Sequence, residues 1–265
     1  MNTPESDLES RFPQGTFVPA PERASTLNLI SAQARLETKL FWRHGEQLLL
    51  AVIIPLSMLI GFTVIPLLPD PDPLEKVFPL VLAVSVMSAG FTGQAIAVGF
   101  DRRYGALKRI GASGVPAWGI IAGKIAAVCL TVTVQYLLFS AVALALGADI
   151  AFGGWVFAYF GMLLGTFTFA SLGLLMGGTL GAELILGLAN LVWFFLLAAT
   201  TYVAVGPQGT RPFGLELLPS VALYDVVSAA LDGTVAAVAA IILLIWGAIC
   251  AVAAVKLFQF DMKSD

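Results

Sequence analysis

The chain has 265 residues, of which 58% are hydrophobic and only 12% charged, and its mean hydropathy is +0.91. A soluble domain carries roughly 25% charged residues, so this composition excludes water as the main solvent. The formal net charge of −3 says nothing of partners, because the charges are segregated along the chain, and no nucleic-acid partner is expected.

Residues 1–24 hold four prolines and mixed charges without an apolar core, which reads as a disordered tail rather than a signal peptide. Residues 25–46 suit an amphipathic helix on a membrane surface. Arg35, Lys39, Arg43 and Glu46 fall on one stripe, and Leu27, Ile30, Ala34 and Phe41 on another. Phe41 and Trp42 come where the chain turns into the bilayer, a usual place for interfacial aromatics.

A spanning helix takes about 20 apolar residues, at about 1.5 Å of rise each, to cover about 30 Å of hydrocarbon. Six stretches qualify: 48–68, 77–98, 119–146, 155–176, 184–205 and 234–255, which with their connections make a transmembrane region over 47–256. Two connections are long, 99–118 between the second and third spans and 206–233 between the fifth and sixth. Residues 257–265 form a short tail.

Cytoplasmic flanks accumulate lysine and arginine. Arg11, Arg23, Arg35, Lys39, Arg43, Arg102, Arg103, Lys108, Arg109, Lys124, Lys256 and Lys263 all fall on one side, against Lys76 and Arg211 on the other. Both termini are therefore expected in the cytoplasm, with the chain multi-pass in the plasma (inner) membrane. Gly161 with Gly165, and the series Gly173, Gly177 and Gly181, repeat at a spacing of four and predict close helix packing.

Several chemistries lack their parts. The single histidine, His44, lies outside the apolar stretches, so Ser/His hydrolysis and a His-based metal site are not expected. Cys129 and Cys250 sit inside apolar stretches and form no redox motif. The segment Gly119–Ile125 falls short of a phosphate loop, having one residue too few between its glycines and Ile125 after Lys124. No catalytic residues, cofactor or metal are assigned to this chain. Ion-driven carriers keep charged groups deep in their spans. Here the interior polar groups are uncharged, among them Gln94, Gln135, Tyr136, Asn190, Thr200 and Thr201, so uphill transport would need energy from another subunit.

The segment Ala97–Lys124, AVGFDRRYGALKRIGASGVPAWGIIAGK, resembles the loop between the second and third spans of ABC-2 transporter permeases. That loop typically reads acidic, basic, Gly-x-Leu, basic, then a turn with Pro and a Gly-Lys opening the next span. Asp101, Arg102, Gly105, Leu107, Lys108, Arg109, Pro116, Gly123 and Lys124 occupy those positions; Asp101 stands for the usual Glu, and Ser113, Gly114, Val115 and Pro116 replace a Thr-Pro-Val turn. The resemblance runs from about Thr26 to the end of the chain. Leu218, Pro219 and Tyr224 in the outer segment are similar to the family's re-entrant helices.

The resemblance implies an all-α membrane protein with six spans, a cytoplasmic amphipathic helix and re-entrant outer helices between spans five and six. It implies a permease subunit of an ATP-binding-cassette exporter, paired with a second permease, identical or related. Separate ATP-hydrolysing subunits would bind the ATP and Mg. Asp101, Arg102, Gly105, Leu107, Lys108, Arg109 and Ile110 would couple to the ATPase, with Leu107 and Ile110 packing into it and the cations orienting it. The substrate is expected to be an amphipathic drug-like molecule or a lipid. Gln94, Gln135, Asn190, Phe194 and Tyr224 are candidates for its path, beside the aromatics Phe157, Phe160, Phe167, Phe169, Trp193 and Phe195. The competing readings are an ATP-independent channel or carrier, a membrane-anchoring subunit and a lipid-modifying enzyme. The last would place its acids at Asp225 and Asp232, which lack a base.

Overall fold

A computed structural model describes residues 25–43, 45–65, 72–112, 114–206, 211–212 and 214–260. The expectations for tail 1–24 and for residues 261–265 lie outside the described residues, as do the side chains of Phe41, Trp42 and Arg43. The helices are α1 (Thr26–Arg43), α2 (Gly45–Val64), α3 (Pro73–Arg103), α4 (Ala106–Ala112), α5 (Ala117–Ala145), α6 (Phe152–Thr179), α7 (Ala182–Val205), α8 (Pro219–Leu231) and α9 (Ala237–Leu257). No strand occurs among the described residues.

Five of these helices, α3, α5, α6, α7 and α9, are long and apolar enough to cross a membrane. The chain is thus an all-α, multi-pass membrane protein. The expected first span falls on α2, whose described apolar part, Ala51–Val64, is shorter than the other five. One end of the bundle carries α1, α4 and most of the cations, and is called the basic end; the other carries α8 and is called the acidic end.

The expected connection 99–118 is largely helical. α3 continues through Arg103, and there Asp101 pairs with Lys124 while Arg102 bonds to the carboxyl end of α6. It stops at Gly105, whose φ of +70° suits glycine and whose N–H bonds to the Arg102 carbonyl at 3.1 Å.

Small residues set the helix spacing, as the glycine repeats predict. A Cβ on Gly173 of α6 would lie 2.5 Å from the Phe91 carbonyl oxygen and 2.7 Å from that of Gly90, and one on Gly177 would lie 2.7 Å from the Ala95 oxygen. Gly90 and Phe91 belong to a π-helical turn in α3, Met87–Thr92, so the widened turn sits directly on the α6 glycines. On another face of α6, Gly165, Gly161 and Gly154 meet Leu223, Val226 and Leu231 of α8 in turn. The two helices therefore run antiparallel, with α8 rising towards the acidic end. Gly165 lies about 20 Å along α6 from its acidic end, so Leu223 is set deep in the bundle.

α2 depends on a contact with α5. Pro55 lies inside α2 and has no N–H, so the Ala51 carbonyl loses its helical donor. The Gln135 amide of α5 supplies one, Nε2 to Ala51 O at 3.0 Å. Gln135→Leu is expected to cost about 1 kcal/mol, as a hydrogen bond lost in an apolar setting does. The loss should shrink in a Pro55→Ala background, where an N–H is restored. A double-mutant cycle of thermal unfolding in detergent checks this, and strictly additive effects would overturn it.

Candidate functional site

The basic end is organised around a buried cation. Lys124, about two turns into α5, is 1% exposed, and its Nζ lies 2.7 Å from Glu37 Oε1 of α1 and 3.1 Å from Asp101 Oδ2 of α3. Gln33 of α1 donates to the same Glu37 oxygen at 2.9 Å. α1 can come this close because α5 offers glycine. A Cβ on Gly123 would lie 2.4 Å from Gln33 Cγ, and one on Gly119 2.6 Å from Leu29 Cδ2. The Gly-Lys that opens the span is thus the seat of the amphipathic helix.

Of the apolar stripe expected on α1, Leu27 is exposed while Ile30 and Ala34 are half-buried; the helix turns its polar side to α5. Its inward face is centred on Gln33 and Glu37, while Leu27, Leu36 and Leu40 are exposed, Leu27 by 79%. A charge taken out of water needs a partner, so the polar face of α1 turns inward to Lys124. Glu37 was missed in the sequence. The signal was present: Lys124 lies inside an apolar stretch and needs a carboxylate, and Glu37 is the only acid in α1.

Arg102 and Arg103 have opposite fates. Arg102 is 2% exposed, and its Nη1 donates to the Gly177 and Leu180 carbonyls at 2.9 and 2.8 Å, capping the carboxyl end of α6. Its Nη2 donates to Gln259 Oε1 at 3.1 Å. A guanidinium fork suits carbonyls that have no helical donor of their own. Arg103 faces out and makes a 3.3 Å surface pair with Glu183.

Leu107 is likewise buried, at 1%, in a cluster with Val98 of α3, Ile120 and Ile121 of α5, Leu174 of α6 and Ala254 of α9, and Ile110 packs against it. Leu107 and Arg102, expected to pack into and to orient a partner, are engaged within the chain, while Ile110 keeps part of its surface exposed. What α4 and its approach present outward is Arg103, Tyr104, Lys108 and Arg109. Arg109 also donates weakly to the Gly105 and Tyr104 carbonyls, both at 3.4 Å.

The residues proposed for a substrate path are not brought together. Gln135 is committed to α2. Asn190 and Phe194 lie on the outward face of α7, Phe194 62% exposed, with the Asn190 amide donating to Leu186 O at 2.7 Å. Gln94 is half-buried in α3, and Tyr224 is buried in α8. The aromatics divide: Phe157, Phe160 and Phe195 are exposed, while Phe169 is fully buried. Within this chain they pack or face outward.

At the acidic end, a cleft of about 890 Å³ opens between the start of α3, the end of α7, α8 and the start of α9, within the roughly 300–1,000 Å³ of ligand pockets. Glu75, Glu216, Asp225 and Asp232 line it, with Lys76, Arg211, Tyr202 and Tyr224. Arg211 and Asp225 pair at 2.7 Å, and this hydrogen bond raises the Arg211 pKa above its already high ordinary value. No group of His, Cys, Asp and Glu able to hold a metal occurs among the described residues.

The family model described as ABC-2 type transporter matches residues 28–208, from α1 through the whole of α7. No curated protein is found to match the chain. In this family the membrane domain is the permease, and an ABC ATPase is the partner that hydrolyses ATP. With most of its length matched, the chain belongs to the ABC-2 type transporter family and is a membrane transporter subunit.

Proposed function

We propose that this chain is the permease of an ATP-driven exporter, with the basic end in the cytoplasm, α2 as a sixth span and both termini on the cytoplasmic side of the plasma (inner) membrane. The ATPase, which binds the ATP and Mg, docks on Arg103, Tyr104, Lys108 and Arg109. The observation that carries this reading is Leu107: α4 is held by that side chain in a cluster shared by α3, α5, α6 and α9, while its cations face out. A pull on α4 is therefore felt by four spanning helices at once, as a switch between two packings of a bundle requires.

The second permease packs on the outward face of α7. That face is apolar, with Leu191 and Phe194 each 62% exposed, yet holds Asn190 among them. An amide facing hydrocarbon is costly, and Asn across a helix interface is a recognised adhesive. The cleft at the acidic end serves as the outward vestibule, with the deeply set α8 as its re-entrant wall. Its mixture of tyrosines, carboxylates and apolar surface fits an amphipathic, drug-like or lipid substrate.

Co-expression with the ATPase encoded beside it, and purification through a tag on this chain, tests the reading. The intact chain is expected to bring an active ATPase with it. The Lys108→Glu, Arg109→Glu variant should reduce the bound ATPase by about tenfold or more, because like charges replace complementary ones. A folded intact chain that retains no ATPase would overturn the exporter reading and favour an ATP-independent carrier.

A further inference from the structure

The three residues after α9 lie across the basic end. Gln259 donates its backbone N–H to the Gly178 carbonyl at 3.1 Å and accepts from Arg102 Nη2 at 3.1 Å. The Phe258 ring lies over Gly178 of α6, where an added Cβ would be 2.8 Å from its Cδ2. The Phe260 ring lies over Gly111 of α4, where an added Cβ would be 2.6 Å from its Cδ1. The two rings meet edge to face, with centroids 5.4 Å apart. One tripeptide thus has two glycine seats on two helices and an arginine between them. It lies beyond residues 28–208, the part matched by the family.

We propose that Phe258, Gln259 and Phe260 form a coupling strap that ties α4 to α6 and α9, so that displacement of α4 by the ATPase moves those two helices with it. The inference rests on the reading of α4 as the ATPase contact. Its physical basis is that Leu107 is the one fully buried side chain of α4, with Ile110 only half-buried beside it. The ring on Gly111 adds a further fixed point four residues on from Leu107, at the far end of the same short helix. Arg102 locks the strap to the carboxyl end of α6, and α6 packs along α9 through Thr168, whose hydroxyl donates to the Leu243 carbonyl at 2.9 Å. Edge-to-face rings attract each other beyond the apolar area that they bury.

The test uses the full chain with its ATPase in lipid nanodiscs, with Cys129 and Cys250 replaced by alanine. A spin label at Ala112→Cys, at the exposed end of α4, reports strap contact. A polarity-sensitive fluorophore at Val235→Cys, 84% exposed before the start of α9, reports the response to a non-hydrolysable ATP analogue. Phe260→Ala is expected to mobilise the spin label and abolish the nucleotide response, with the ATPase still co-purifying in full. Phe260→Leu, which keeps an apolar side chain over Gly111, should retain much of both signals. An unchanged spin label, or a nucleotide response that survives in Phe260→Ala, overturns the strap. If the parent chain holds no ATPase, the exporter reading fails and the coupling role of the strap falls with it. The label at Ala112→Cys still shows whether the contact exists.

Discussion

Lys124→Met is expected to destabilise the fold by about 3 kcal/mol, the low end of what breaking a buried ion pair costs. The ammonium is 1% exposed and is held by carboxylates at 2.7 and 3.1 Å, from helices distant in sequence. Methionine keeps the volume of the aliphatic stem but leaves Glu37 and Asp101 facing each other without a cation. Glu37 is 17% exposed and Asp101 40%, so water screens part of the penalty and the figure stays at the low end. The unfolding midpoint in detergent, followed through the reactivity of the buried Cys250 thiol, should fall by about 5–10 °C. Adding Glu37→Gln and Asp101→Asn should recover most of that loss, because no uncompensated charge then remains inside. If the triple variant melts no higher than Lys124→Met, the charges are not what Lys124 serves.

This triad also marks how far the sequence could be read. Hydropathy located the five long apolar helices to within about five residues, because twenty apolar side chains in a row leave little choice of solvent. The loop motif pointed to Asp101, Arg102, Leu107 and Lys124 as a group, and the structure gathers them at one end of the bundle. Their individual roles were not legible. Arg102 and Arg103 are adjacent and chemically identical, yet one caps α6 and the other faces water; only the position of the α6 carboxyl end decides between them. Leu107 on a short helix with flanking cations reads the same whether it packs into a partner or into its own chain. Gln135 looked like a polar group in a path, while its real partner is the carbonyl orphaned by Pro55, at a separation of 84 residues. In each case the residue type was informative, and the neighbour that settles its meaning comes from tertiary structure.

Glycine-to-alanine changes should act with opposite signs at two positions of this bundle. Gly187, in the exposed α7, has nothing of its own chain within 4 Å of where a Cβ would lie, so in the separated chain Gly187→Ala should raise stability by up to about 1 kcal/mol through helix propensity alone. Gly173→Ala adds the same methyl where the nearest atoms are the backbone of α3, at 2.5, 2.7 and 3.1 Å. No side chain can turn aside there, so α3 and α6 must part. Overpacking of this kind costs about 1–3 kcal/mol, more than the propensity gain returns. Gly173→Val should be worse again, and paired melting curves of the three variants read the effects directly. The site of the clash is the π-helical turn of α3, where the Gly90 and Phe91 carbonyls lie against α6. Contact through small residues lets Cα–H groups meet those carbonyls, a weak attraction that a single methyl removes. A Gly173→Ala midpoint at or above that of the parent would mean that α3 and α6 are not in backbone contact. The π-helical turn would then have some other cause than this crossing.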